Sequence, residues 1–129
     1  VNTDESLNGW KPQWFRANVG IAQHPKLLAL RYSRRHEAAW LYLDSIGYAT
    51  EHLTDGWVPP WFPSSRGFKG KDAEALLEVG LWHAMDIGDC GGWLIHDYLA
   101  HQKSKDQWTA EQHKRKDRAR RGAVARWDK

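Results

Sequence analysis

The stretch KDAEALLEVGLWHAMDIGDCGGWLIHD, residues 71–97, narrows the folds open to this chain more than any other. In its first part Ala73, Leu76, Leu77 and Val79 recur at helical spacing, and Gly80 is a natural C-terminal stop. LWHAMD, residues 81–86, then alternates as a strand does. IGDCGG is a Gly-rich turn, and WLIHD, residues 93–97, pairs back as the second strand of a hairpin. A compact helix therefore runs straight into a hairpin, which demands a small mixed α/β layer.

The chain before this stretch reads mainly as helix. SRRHEAAWLYLDSIGYAT predicts a long helix capped by Ser33 and ending near Ala49. Trp40, Leu43 and Gly47 recur along it, with Ala38, Ala39 and Ile46 beside them, as one apolar stripe. HPKLLAL gives a short helix over about 24–31, with Pro25 in the first turn, where a missing N–H costs nothing. QWFRANV, residues 13–19, reads as a short edge strand. Asp55-Gly56 marks a turn into the extended pair Trp57-Val58, and Pro59-Pro60 ends that strand. WFPSSRG suggests a brief helix around 60–66. After the hairpin, Asp97 can cap a short helix through YLAHQK. Thr109 and Gln112 have the spacing of a capping box that would start the last helix. Gly122 weakens that helix by about 1 kcal/mol relative to Ala.

From residue 34 the order is helix, strand, helix, helix, strand, turn, strand. This is the order of a winged helix, in which the third helix enters the major groove and the hairpin touches the backbone. The expected class is α+β, mainly α. It is a winged helix-turn-helix with a short N-terminal strand and helix and a basic C-terminal helix. The divisions are a flexible leader over 1–12, a winged-helix domain over 13–105 and a basic helix over 106–129.

Charge is unevenly distributed. Residues 1–97 hold nine Lys and Arg against twelve Asp and Glu, a net of −3. Residues 98–129 hold ten against four, a net of +6, which points to a polyanion as partner of the tail. Cys90 is the single cysteine, so no internal disulfide framework exists, in keeping with a reducing, intracellular setting. No apolar run approaches a membrane span and no secretory signal is visible. Nine Trp in 129 residues require a folded body to bury them. Trp40, Trp57, Trp82 and Trp93 fall at expected core positions, whereas Trp108 and Trp127 are the candidates for exposed aromatics.

WFR at 14–16, HPKLLAL at 24–30, HLTDGWVP at 52–59, KDAEALLEVGLW at 71–82, HDY at 96–98 and TAEQHKRKDRARR at 109–121 together resemble one family. It is the winged-helix module near the N-terminus of actinobacterial phage and prophage replication-initiation, or replisome-organiser, proteins. The likeness runs over roughly residues 13–121 and rests on the order and spacing of the motifs. It implies a DNA-binding module, here followed by little beyond the basic helix.

The candidate recognition helix, 71–79, should present Lys71, Glu74, Ala75 and Glu78 outward, with Arg66 and Lys69 before it and Ser64 and Ser65 on the preceding turn. Its N-terminal end is basic and its second half acidic. Asp86 and Asp89 flank the hairpin tip, which has no Lys or Arg. Because many protein–DNA hydrogen bonds go to phosphate and sugar, the missing cations must come from elsewhere. Lys114, Arg115, Arg118 and Arg121 share neighbouring parts of one face of the last helix, and Lys116 and Arg120 lie on another. Ala119, Ala123, Val124 and Trp127 form a thin apolar strip.

These residues predict a non-enzymatic DNA-binding protein, and the resemblance implies a role in replication initiation or transcriptional regulation in the cytoplasm of a bacterial host, associated with its nucleoid. Double-stranded DNA is the expected partner. The alternative is a protein-interaction module whose acidic body docks a host replication or transcription factor. The apolar strip could also pack on the body or on a second copy as a homodimer. An anionic membrane surface is disfavoured because the strip is poor in Leu and Phe. His83, Cys90, His96 and His101 lack paired ligand spacing, so no metal and no cofactor is expected. His96-Asp97 has no accompanying nucleophile or phosphate cradle, so no catalytic residue is assigned.

Overall fold

The structure, a computed structural model, describes residues 9–127. Most of the expected leader, residues 1–8, lies outside the described residues, as do the side chains of Arg126 and Trp127. The chain is α+β and mainly helical. Its elements are α1 (Pro25–Tyr32), α2 (His36–Glu51), β1 (Trp57–Val58), α3 (Phe62–Ser65), α4 (Gly70–Val79), β2 (Trp82–Ala84), β3 (Trp93–Ile95), α5 (Tyr98–His101) and α6 (Lys105–Trp127). A short 3-10 turn, Ile21–Gln23, leads into α1.

The strands form one antiparallel sheet in the order β1-β3-β2. Trp57 faces Leu94 and Val58 faces Trp93 on one side of β3, while Trp82 faces Ile95 and Ala84 faces Trp93 on the other. Helices α1, α2, α3 and α4 contribute Leu30, Leu41, Ile46, Phe62 and Leu76 to the core, and the sheet contributes Val58, Trp82 and Ile95. Trp82 is fully buried, stacks on Trp93 at 4.8 Å and donates its indole N–H to Ser45 Oγ at 3.3 Å. That contact satisfies a polar group which burial would otherwise penalise.

Several expectations shift here. Residues 13–19 are not a strand. Arg16 is instead held by Gln102, whose amide accepts from the Arg16 N–H at 2.8 Å and donates to its carbonyl at 2.6 Å. One side chain thus does for this segment what a neighbouring strand would do. Ser33 closes α1 rather than opening α2, its hydroxyl donating to the Ala29 and Leu30 carbonyls. The long helix begins at His36 and buries Ala38, Leu41, Ser45 and Ala49, a stripe rotated away from Trp40. Trp40 is accordingly 65% exposed rather than core. In α4, Ala75 is buried rather than outward, and Leu77 is exposed rather than inward. Asp97 precedes α5 but makes no side-chain cap; its backbone is left-handed at φ 54°.

Two close approaches fix the sheet to the rest. Gly56 has φ 98°, and a Cβ there would lie 2.7 Å from Tyr98 Cβ, so only glycine fits. Tyr98 in turn pairs its hydroxyl with Thr50 Oγ1 at 2.9 Å inside the core, and burial pushes its phenol above the usual tyrosine range. Gly80 closes α4 in the left-handed conformation while the Leu81 N–H reaches back to the Leu76 carbonyl, directing the chain into β2. Replacing Thr50 by Val should destabilise the fold by about 1–3 kcal/mol, the cost of an unpaired buried hydroxyl. Leu76→Ala should cost about 2–5 kcal/mol through the cavity it leaves. Urea denaturation measures both.

Candidate nucleic-acid interface

The exposed side of α4 is shaped by what holds the helix in place. Asp72, buried in the first turn, accepts from the Lys69 backbone N–H at 2.9 Å. An acid there satisfies a free donor and complements the helix dipole. Lys69 and Lys71 themselves remain exposed. Lys71 lines a cleft of about 490 Å³ whose opposite wall is the α1–α2 junction, with Arg34, Arg35 and His36. Across it, Arg35 Nη1 lies 2.6 Å from Glu78 Oε2. The guanidinium, by hydrogen bond and then by charge, holds the Glu78 carboxyl below the usual range. Glu78 is therefore not a bare negative charge beside the face where phosphate would approach. Glu74 has no ion-pair partner among the described residues.

Sequence reasoning passed over Arg34, Arg35 and His36. They are consecutive cationic or titratable residues in SRRH, but nothing in the sequence says that α2 packs on α4. That packing brings them opposite Lys71.

The structure separates the residues singled out before α4. Ser64 and Ser65 are exposed on α3, and their hydroxyls donate to the Trp61 and Phe62 carbonyls at 3.2 and 2.8 Å. Arg66 turns toward the outer face of α2, 3.6 Å from Asp44 Oδ2 and 5.2 Å over the Phe62 ring. It lines a different cleft, of about 370 Å³, with Trp14, Phe15, Asp44 and Tyr48. Lys71 and Arg66 thus do not share one surface pocket.

The hairpin tip is a tight turn in which Ile87 and Cys90 exchange backbone hydrogen bonds at 2.8 and 3.0 Å. At its base His83 Nε2 and His96 Nδ1 are 2.7 Å apart, and His96 Nε2 lies 3.2 Å from Asp97 Oδ2. Among the described residues no group of three or more His, Cys, Asp or Glu side chains could hold a metal ion.

The last helix starts at Lys105, earlier than Thr109. Ser104 and Gln107 form the reciprocal box: the Gln107 N–H donates to Ser104 Oγ at 3.1 Å, and the Ser104 N–H donates to Gln107 Oε1 at 2.8 Å. Thr109 instead bonds back to the Lys105 carbonyl. The pattern S-x-x-Q at 104–107 was the available signal. The Lys105 N–H also donates to Asp55 Oδ1 at 2.7 Å, tying the helix start to the turn before β1.

Among the described residues, the root of α6 packs on the body. Trp108, expected to be exposed, is 3% exposed; it packs on Leu53 and Trp10, with the Trp14 ring edge-on at 5.0 Å. Lys103 Nζ sits 4.6 Å over the Trp108 ring and 5.0 Å over Trp14, and is paired to Glu111 at 2.6 Å. That pair lowers the Glu111 carboxyl, with Arg115 adding a smaller effect. Trp108 Nε1 and Gln112 Nε2 are buried without a hydrogen-bond partner among the described residues. Beyond Gln112 the described side chains are exposed through Ala125, apart from half-buried Ala123. Val124 and Ala119 are exposed. Lys114, Arg115, Lys116, Arg118 and Arg120 make no ion pair among the described residues, and Arg121 Nε only reaches the Asp117 carbonyl at 3.4 Å.

Compared with models of protein families, with curated proteins and with solved structures, the chain matches none. No helix of the described residues is long and apolar enough to cross a membrane.

Trp108→Ala should remove the packing at the root of α6. The expected outcome is loss of amide protection along residues 105–112 while α2 and α4 keep theirs, read by hydrogen exchange.

Proposed function

We propose that this chain is a non-enzymatic DNA-binding protein in which a winged-helix body orients the contact and α6 supplies most of the affinity. The order α2, β1, α3, α4, β2, β3 and the sheet order β1-β3-β2 support the winged-helix reading. In it α4 is the recognition helix and the β2–β3 hairpin is the wing. The observation that carries the function is the row of cations beyond Gln112, exposed and without carboxylate partners among the described residues. Such a helix is polar all round and gains little from the rest of its own fold. Phosphates would relieve its self-repulsion and release counterions.

The body adds a smaller contribution. Lys69, Lys71 and Arg34 lie around the exposed side of α4, and Arg35 offsets Glu78. To reach phosphate oxygens, the Ser64 and Ser65 hydroxyls would first have to leave the Trp61 and Phe62 carbonyls, and Arg66 would have to leave Asp44. The resemblance to phage replication-initiation modules favours a role in replication initiation, or in transcriptional control, at the nucleoid of a bacterial host. A second reading, docking of a host replication or transcription protein on the body, is favoured by Trp40 and Trp61, both more than half exposed.

The test is fluorescence anisotropy on duplex DNA at several salt concentrations. The shortened chain should end at His113, because ending it before Trp108 would strip the body of its packing partner. The full chain should bind with a steep salt dependence, and the shortened chain weakly. Changing Arg115, Arg118 and Arg121 together to Ala should reduce the slope of log K against log salt by about 2.7, at about 0.9 per phosphate contact. Equal affinity of full and shortened chains would remove α6 from the mechanism.

A further inference from the structure

The cations of α6 are not confined to one face, and this decides what shape of polyanion suits them. At 3.6 residues per turn, successive side chains are about 100° apart. Measured from Lys114, Arg118 falls at about 40°, Arg115 at about 100°, Lys116 at about 200°, Arg120 at about 240° and Arg121 at about 340°. Lys116 and Arg120 therefore each point about 160° away from Arg118, while Arg121 lies about 100° from Arg120. All six are exposed, and the helix that carries them clears the body after Gln112. From there to Trp127 it extends about 22 Å at 1.5 Å per residue.

A flat anionic surface meets only one side of a helix. It would leave either Lys116 and Arg120 or the opposite set in water. Two opposed cationic sides are matched by two phosphate walls. Resting on the DNA-binding reading above, we propose that residues 113–125 of α6 lie within the major groove of B-form duplex DNA, with phosphates of both strands engaged from opposite sides. That groove is about 12 Å wide and admits an α-helix about 10–12 Å across. Within residues 113–125, two sectors hold no Lys or Arg, and they fit this pose. Ala119 and Ala123 occupy the one between Arg115 and Lys116, and short side chains there let the helix approach base edges. Asp117 and Val124 occupy the other, which turns the segment's acid away from the groove floor. A-form duplex RNA excludes the pose, because its major groove is too deep and narrow for a helix.

The experiment compares the full chain with two double variants, K116Q/R120Q and R115Q/R118Q. The probes are a duplex DNA, a duplex RNA of the same sequence, and phosphatidylserine vesicles. Gln preserves helix propensity, and circular dichroism confirms that α6 is retained. Charge-preserving K116R/R120K is the control and should bind as the full chain does. The expected result is that each Gln variant loses about 1.8 from the slope of log K against log salt on DNA. Its affinity ratio between about 50 and about 200 mM salt then shrinks about tenfold. Duplex RNA should bind more weakly than DNA. If only one Gln variant is impaired, or duplex RNA binds as tightly as DNA, the helix lies on a surface and the groove pose is wrong while DNA binding stands. If the full chain binds vesicles but no DNA, both readings fall.

Discussion

Burial of Trp108 sets the direction in which α6 leaves the body, and the arrangement of charge follows from that direction. The indole fills a pocket made by Leu53, Trp10 and Trp14. Lys103 closes it by lying over two of those rings while pairing with Glu111 one turn further along. A cation over an indole face and a carboxylate beside it favour the same Lys position. The Ser104–Gln107 box and the Lys105–Asp55 bond define where the helix begins. With its root fixed, the described cations past Gln112, Lys114 to Arg121, lie exposed to water.

The body handles its own charges differently. Arg35 meets Glu78 and Arg66 meets Asp44, so two of its cations are engaged locally. Exposed pairs of this kind add at most about 1 kcal/mol each to stability. Their larger effect is on the field: a carboxylate that would oppose phosphate beside α4 is offset. The chain thus keeps a nearly balanced body beside a strongly cationic projection.

The elements that sequence revealed were those with local causes. Gly80 stopping α4, Pro25 opening α1 and the Gly-rich turn between β2 and β3 are backbone chemistry, legible without tertiary structure. The misreadings arose where packing decided. Trp40 looked like core because Trp usually is, but α2 turns its Ala38–Leu41–Ser45–Ala49 stripe inward, and the small residues are what let α4 approach. Trp108 looked exposed because it borders a basic run, and nothing local shows that Trp10 and Trp14 would fold over it. Residues 13–19 have strand-like composition, yet Gln102, distant in sequence, takes up both backbone groups of Arg16. The split between Arg66 and Lys71 was equally invisible, since the two lie five positions apart in sequence but line different clefts. The charge asymmetry, by contrast, was legible from counting alone.

The two unpartnered donors at the root of α6 bear on how firmly the helix is held. Among the described residues Trp108 Nε1 and Gln112 Nε2 have no hydrogen-bond partner, and a buried N–H left unmet would cost about 1–3 kcal/mol against what the indole gains by leaving water. Both sit on the inner side of the same two turns. The attachment therefore resembles a stiff joint more than a weld: oriented at rest, but able to yield by a modest free energy. A lever seated in this way can adjust its angle to curvature or twist in whatever it grips without straining the Trp82-centred core.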